Sequence, residues 1–150
     1  MRRDYPRVLQ LPMEYKGYMC GPTSVAIALG IPCVVADKAF QAVGLGVTMR
    51  TRMGIHRVYS VTPPAISSVL RGFGVAYSYG DLDVPGAPTV GAWMKHRPEA
   101  WRRSTVLLAT TDHLLTVRGG QVVDTLGGES TELSYPKRRF RVTDVWRIHE

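Results

Sequence analysis

Cysteine is scarce in this chain: Cys20 and Cys33 are the only two among 150 residues. One disulfide between them is compatible with that count, but two thiols make no framework of the kind that staples small secreted domains. A reducing, cytoplasmic setting is the simpler assumption. Long apolar runs are missing too. None approaches the roughly 20 residues that a membrane-spanning helix needs, so no membrane partner is expected. The opening Met1-Arg2-Arg3-Asp4-Tyr5-Pro6 carries charge without a following apolar core, unlike a secretory signal. Four histidines and two cysteines show no metal-ligand spacing. Gly44-Leu45-Gly46 leads into neither a P-loop nor a dinucleotide fingerprint. No metal and no cofactor is therefore expected. Internal repeats and low-complexity linkers are also lacking, which leaves one domain over residues 1–150. With 45% hydrophobic residues, a chain of this length can bury roughly 70% of its unfolded surface without a staple.

Negative charge is the minority sign. Twelve acidic residues face 19 basic ones, 15 of them arginine, for a net charge of +7. Such a balance can indicate nucleic acid or another acidic partner. Yet the arginines are scattered, apart from Lys137-Arg138-Arg139 with Arg141, and no RNA-binding aromatic signature or recognition helix accompanies them. A solvated basic surface is the preferred reading.

What is present centres on Cys20-Gly21-Pro22-Thr23-Ser24-Val25-Ala26-Ile27-Ala28-Leu29-Gly30. Pro22 suits the first helical position, Gly21 the cap, and Gly30 before Ile31-Pro32 the stop. Cys20 then lies just ahead of a helix, where unpaired N–H groups and the macrodipole favour a thiolate. For an arbitrary cysteine, a small buried inert side chain is the better bet. Cys33, after Pro32 and before Val34-Val35, is read that way.

Further along, residues 34–43 read as a second helix with Ala39, Phe40 and Val43 on an apolar face. Residues 44–57, rich in Gly, Thr and Arg, read as a long surface loop that contains His56. Ser60 or Thr62 can cap a third helix starting at Pro63-Pro64, with Ile66, Val69 and Leu70 inward, ended by Gly72 and Gly74. Residues 75–79 read as a strand. Residues 89–96 read as a short helix stopped before Pro98, with His96 on the surface. Residues 105–110 have the composition of a strand buried on both faces. Residues 113–118 and 121–126 flank Gly119-Gly120, a two-residue hairpin signal, and residues 140–148 make one more strand. Trp93, Trp101 and Trp146 are assigned to packing. Helices first and a mostly antiparallel sheet second give the α+β class.

The hairpin carries a geometric consequence. With Gly119-Gly120 as its turn, Arg118 pairs with Gln121, and counting back sets Leu115 opposite Asp124. His113 is then on the same face and diagonal to Asp124, within side-chain reach. Asp112, next to His113, would point to the opposite face of a regular strand. An imidazole oriented by a carboxylate, with its other nitrogen toward a cysteine at a helix start, makes a Cys-His-Asp triad.

Gln10-Leu11-Pro12, Cys20-Gly21-Pro22-Thr23-Ser24-Val25-Ala26, Asp112-His113-Leu114-Leu115-Thr116-Val117 and Val122-Val123-Asp124 together resemble the papain-like cysteine peptidases, the C39-like branch above all. That resemblance implies a papain-like fold. It implies Cys20 as nucleophile, His113 as general base, Asp124 as the residue orienting the ring, and Gln10 as a partner of the Cys20 N–H in the oxyanion hole. One departure stands out. Papain-like enzymes commonly carry the glutamine six residues before the cysteine, where this chain has Glu14, a carboxylate that cannot donate when ionised.

The expected function is therefore a thiol hydrolase acting on a peptide or isopeptide, with transglutaminase- or deamidase-type chemistry open on the same fold. Arginines in residues 44–57 suggest acidic substrates. The alternative is a papain-like scaffold without activity that serves as a binding or assembly module. A phage structural or host-interaction protein is one such case, virion-associated, its basic surface meeting nucleic acid or an acidic partner.

Overall fold

The computed structural model describes residues 8–44, 47–50, 56–80, 82–125, 128–131 and 133–149. The first long helix, α1 (Cys20–Leu29), begins two residues earlier than its sequence suggests, so Cys20 is its first residue rather than the one before the cap. Met19, extended at φ −79° and ψ 171°, is the cap, so Gly21 is the second helical residue. Pro22 still lies in the first turn, where its missing N–H breaks no helical bond. Gly30 takes the left-handed conformation at φ 66° and its N–H closes on the Ala26 carbonyl. Every residue from Gly21 to Leu29 is buried. An apolar helix of that kind can be stable only if other elements surround it.

Two helices pack beside it. α2 (Cys33–Val43) buries Cys33, Ala36, Asp37 and Phe40. The buried Asp37 carboxylate is satisfied by the Val58 N–H at 2.9 Å and Gln41 Nε2 at 2.5 Å. α3 (Pro63–Gly72) starts where the Thr62 hydroxyl accepts the Ala65 N–H at 3.4 Å, and it buries Ile66, Val69 and Leu70. Between α2 and α3 the expected loop is instead a hairpin: β1 (Val47–Arg50) pairs antiparallel with β2 (His56–Ser60). Val47, Thr48, Val58 and Tyr59 favour extended backbone, and pairing satisfies their amides. Glycine and arginine content concealed this. Residues 45–46 and 51–55 of the expected loop lie outside the described residues.

Among the described residues, the main sheet has six antiparallel strands in the order β3-β8-β4-β5-β6-β7. These are β3 (Tyr77–Tyr79), β4 (Val106–Thr110), β5 (His113–Arg118), β6 (Gln121–Asp124), β7 (Gly128–Thr131) and β8 (Val142–Ile148). Strand β7 was not expected from the sequence. Neither was α5 (Glu99–Arg102), a single turn behind α4 (Val90–His96). Helix α4 was expected over 89–96; Thr89 is instead its cap, its hydroxyl accepting the Ala92 N–H at 3.1 Å.

Alternation along the strands feeds two cores. Leu107, Ala109, Leu114, Trp146 and Ile148 join α1, α2 and α3 on one face. Val106, Leu108, Leu115, Val117, Val122 and Val145 join Trp93, Met94 and Trp101 from α4 and α5 on the other. Burying each such aliphatic side chain is worth roughly 1.5–3 kcal/mol, so the central strands are held from both sides. All five residues of β4 are buried, as its composition predicts. The architecture is α+β, with an antiparallel sheet between two layers of helix. Among the described residues, no single helix is long and apolar enough to cross a membrane.

Candidate active site

Two reciprocal hydrogen bonds set the height of α1 against the sheet. The Ser24 hydroxyl donates to the Leu114 carbonyl at 2.9 Å, and the Thr116 hydroxyl donates to the Ser24 carbonyl at 2.8 Å. Both are buried, where losing a partner is costly. Ser24 lies one helical turn after Cys20, and Leu114 follows His113 directly. Pinning one pair therefore positions the other.

The β5–β6 hairpin has the expected register, with Arg118 opposite Gln121, Val117 opposite Val122 and Thr116 opposite Val123. His113 and Asp124 meet on the diagonal. His113 Nε2 lies 2.6 Å from Asp124 Oδ2, with side-chain exposures of 8% and 0%. A carboxylate only accepts when ionised, so Nε2–H donates and Nδ1 is left for the sulfur. Cys20, half-buried at the mouth of α1, hydrogen-bonds to this ring. Burial works against a charged imidazole here. The hydrogen bonds with Asp124 and Cys20 and the charges of both outweigh it, and the His113 pKa is pushed up to about 9.

A third group reaches Asp124. The Tyr135 hydroxyl donates to Asp124 Oδ2 at 2.5 Å from a ring 2% exposed. Burial, and then that bond to Asp124, push its phenol far above the usual tyrosine range, so it stays protonated. Nothing in Leu133-Ser134-Tyr135-Pro136 marks this residue in the sequence. Only the return of the chain from β7 to β8 brings it under the hairpin.

A cleft of about 540 Å³ opens over Cys20 and His113. Val61, Pro63, Ile66, Ala109 and Leu114 give it apolar walls, and Ser60, Thr110, Asp112, Thr143 and Asp144 add polar groups. Asp112 faces the cleft because it occupies the left-handed region, at φ 66°, in the Thr111-Asp112 turn between β4 and β5. The expectation that it points away held only for a regular strand. Asp144 is bonded by the Tyr79 hydroxyl at 2.5 Å. Gly21 belongs to the site for a steric reason. A Cβ on it would stand 2.7 Å from the Val61 side chain, so glycine lets the β2–α3 connection close over the start of α1.

Gln10 is not brought to this cleft. Gln121 holds both the Leu9 N–H at 2.9 Å and the Leu9 carbonyl at 2.7 Å, and Glu129 accepts the Leu11 N–H at 3.3 Å. Leu9 clusters with Ile27 and Val123, and Ile27 is seven residues, about 10 Å, along α1 from Cys20. The Gln10 side chain is exposed and is not part of the cleft lining. Glu14, six residues before Cys20, turns elsewhere too, accepting the Cys33 N–H at 3.1 Å at the start of α2. Cys33 is fully buried, as expected, and both cysteines are free thiols. Trp93 and Trp146 are fully buried and Trp101 nearly so, while His96 is exposed. His56 lies in β2. Among the described residues no group of three or more His, Cys, Asp and Glu is placed to hold a metal ion.

Set against protein-family models, curated proteins and solved structures, the chain finds no match.

Proposed function

We propose that this protein is a papain-like thiol hydrolase, related in plan to the C39-like peptidases, that cleaves a peptide or isopeptide bond. The supporting observation is the convergence of a helix-terminal sulfur, an imidazole and a buried carboxylate. His113 is bonded to Asp124 through Nε2 at 2.6 Å and turned to Cys20 with its other nitrogen. In this reading the Cys20 sulfur attacks the amide carbon and the carbonyl π electrons move to oxygen. Collapse of that intermediate expels the amine, which takes its proton from His113. Water, deprotonated by His113, then attacks the thioester and frees the acid and the thiol. Asp124 keeps the ring in the tautomer and orientation that both steps need.

Gln10 has no part in this scheme as placed. The oxyanion is left to the backbone N–H groups of Cys20 and Gly21, which have no intrahelical acceptor in the first turn of α1. The carboxylates of Asp112 and Asp144 line the cleft, and no Lys or Arg does among its described lining. They favour a neutral or basic residue near the scissile bond over the acidic one suggested by the arginines of residues 44–57.

The test is labelling by a thiol-directed acylating probe in wild type, Cys20→Ala and His113→Ala. Loss in both variants is expected, and equal labelling of wild type and His113→Ala overturns the reading. The displaced Gln10 and the +7 charge favour a second reading, a binding or assembly module on the same scaffold. Ordinary thiol behaviour at Cys20 together with salt-sensitive nucleic-acid binding would support it.

A further inference from the structure

We propose that Tyr135 is a positioning residue for this site, fixing the Asp124 carboxylate against the His113 ring. This rests on the thiol-hydrolase reading above. Tyr135 and His113 donate to the same oxygen, Asp124 Oδ2, at 2.5 and 2.6 Å. Asp124 is fully buried and Tyr135 2% exposed, so bulk water cannot replace either donor. An ionised carboxylate in such a place needs donors to remain charged. A neutral hydroxyl supplies one without a positive charge. A lysine or arginine there would compete with the imidazolium for the same carboxylate.

The phenol is itself held in place. The Tyr135 N–H bonds to the Thr131 carbonyl at 3.0 Å, and the Ser134 hydroxyl accepts the Thr131 N–H at 2.9 Å, closing the turn after β7. Its ring packs in the cluster that contains Leu115 and Val122, neighbours in parity of His113 and Asp124. The titratable groups that act on one another here include His113 from β5, Cys20 from α1, Asp124 from β6 and Tyr135 itself. Glu129, on the adjacent strand β7, is engaged with the Leu11 N–H.

The measurement is the rate of Cys20 acylation against pH, in a Cys33→Ala background, with near-UV circular dichroism as the check on folding. Tyr135→Phe removes a donor from the charged carboxylate, so Asp124 takes up a proton more readily. The acid limb is expected to move toward neutrality by about half to one pH unit, with a plateau rate about tenfold lower. In an Asp124→Asn background the same change should add nothing, because the group it acts through is gone. Incorporation of fluorotyrosine in the unmutated chain, a stronger donor of nearly equal size, should move the limb the other way. That arm carries the test if Tyr135→Phe does not fold. An acid limb that is unmoved in both Tyr135→Phe and the fluorotyrosine protein, while His113→Ala still abolishes acylation, overturns the role of Tyr135 alone. Acylation that ignores His113→Ala overturns the hydrolase reading and this inference with it.

Discussion

The two cysteines occupy matching local positions. Each is the first residue of an α-helix, behind an extended residue that gives no side-chain cap. Their fates are opposite. Cys20 is half-buried at the floor of a cleft and bonded to His113. Cys33 is fully buried, its N–H taken by Glu14 and its sulfur 4.0 Å from the Thr23 hydroxyl. Burial, the largest influence on it, pushes the Cys33 thiol up despite the Thr23 contact. A helix N-terminus alone therefore does not fix a cysteine's surroundings. What differs is access to a cleft and an imidazole brought from a distant strand.

That contrast can be broken most sharply by chemistry. With an acylating probe read by intact mass, Cys20→Ala should abolish labelling while Cys33→Ala leaves it unchanged. His113→Ala should slow labelling of Cys20 by about 10²-fold or more, the usual scale for a positioned base. Labelling shared between the two thiols in wild type would erase the distinction.

Next in size is a pH effect confined to the Cys20 side. The folded-state pKa of His113, about 9, is raised above the ordinary 6.5. The charged ring therefore stabilises the fold fully below pH 6.5, and that stabilisation is lost as pH rises through 9. The ceiling is about 3 kcal/mol. Urea unfolding of wild type and His113→Gln should show a gap that narrows between those pH values. A constant gap would deny the pairing with Asp124.

Substitution at the two helix starts should separate them further. Gly21→Ala should cost about 1–3 kcal/mol by driving Val61 away, and should slow Cys20 acylation. Cys33→Ser puts a hydroxyl into the core and should cost about 1–2 kcal/mol, against under about 0.5 for Cys20→Ser. Glu14→Ala should cost about 1 kcal/mol through the lost bond at the start of α2, with Cys20 labelling untouched. Urea midpoints at fixed pH measure all four.

Much of the scaffold is legible in local rules. Gly30, Thr62 and Thr89 mark helix ends through conformations and caps that need no distant partner. The Gly119-Gly120 turn fixes a parity, and parity is enough to set His113 diagonal to Asp124. Residues 44–57 misled because composition hid a pair of strands held to α2 by the bond from the Val58 N–H to Asp37. Gln10 misled because a motif's order says nothing of where the chain is tied, and Gln121 and Glu129 tie it two helical turns from Cys20.

By itself, then, the sequence determined the helices around Cys20, the β5–β6 register and the alternation that gives a two-faced sheet. All of these depend on neighbours within a few residues. Tertiary structure alone decided that Gln10 is tied away from the cleft, that Tyr135 closes on Asp124, and that Asp112 and Asp144 face the cleft. The cleft lining gathers residues such as Cys20 and Asp144, 124 positions apart. Burial of α1 on all sides, with the Ser24–Leu114 and Thr116–Ser24 bonds, is what sets their geometry.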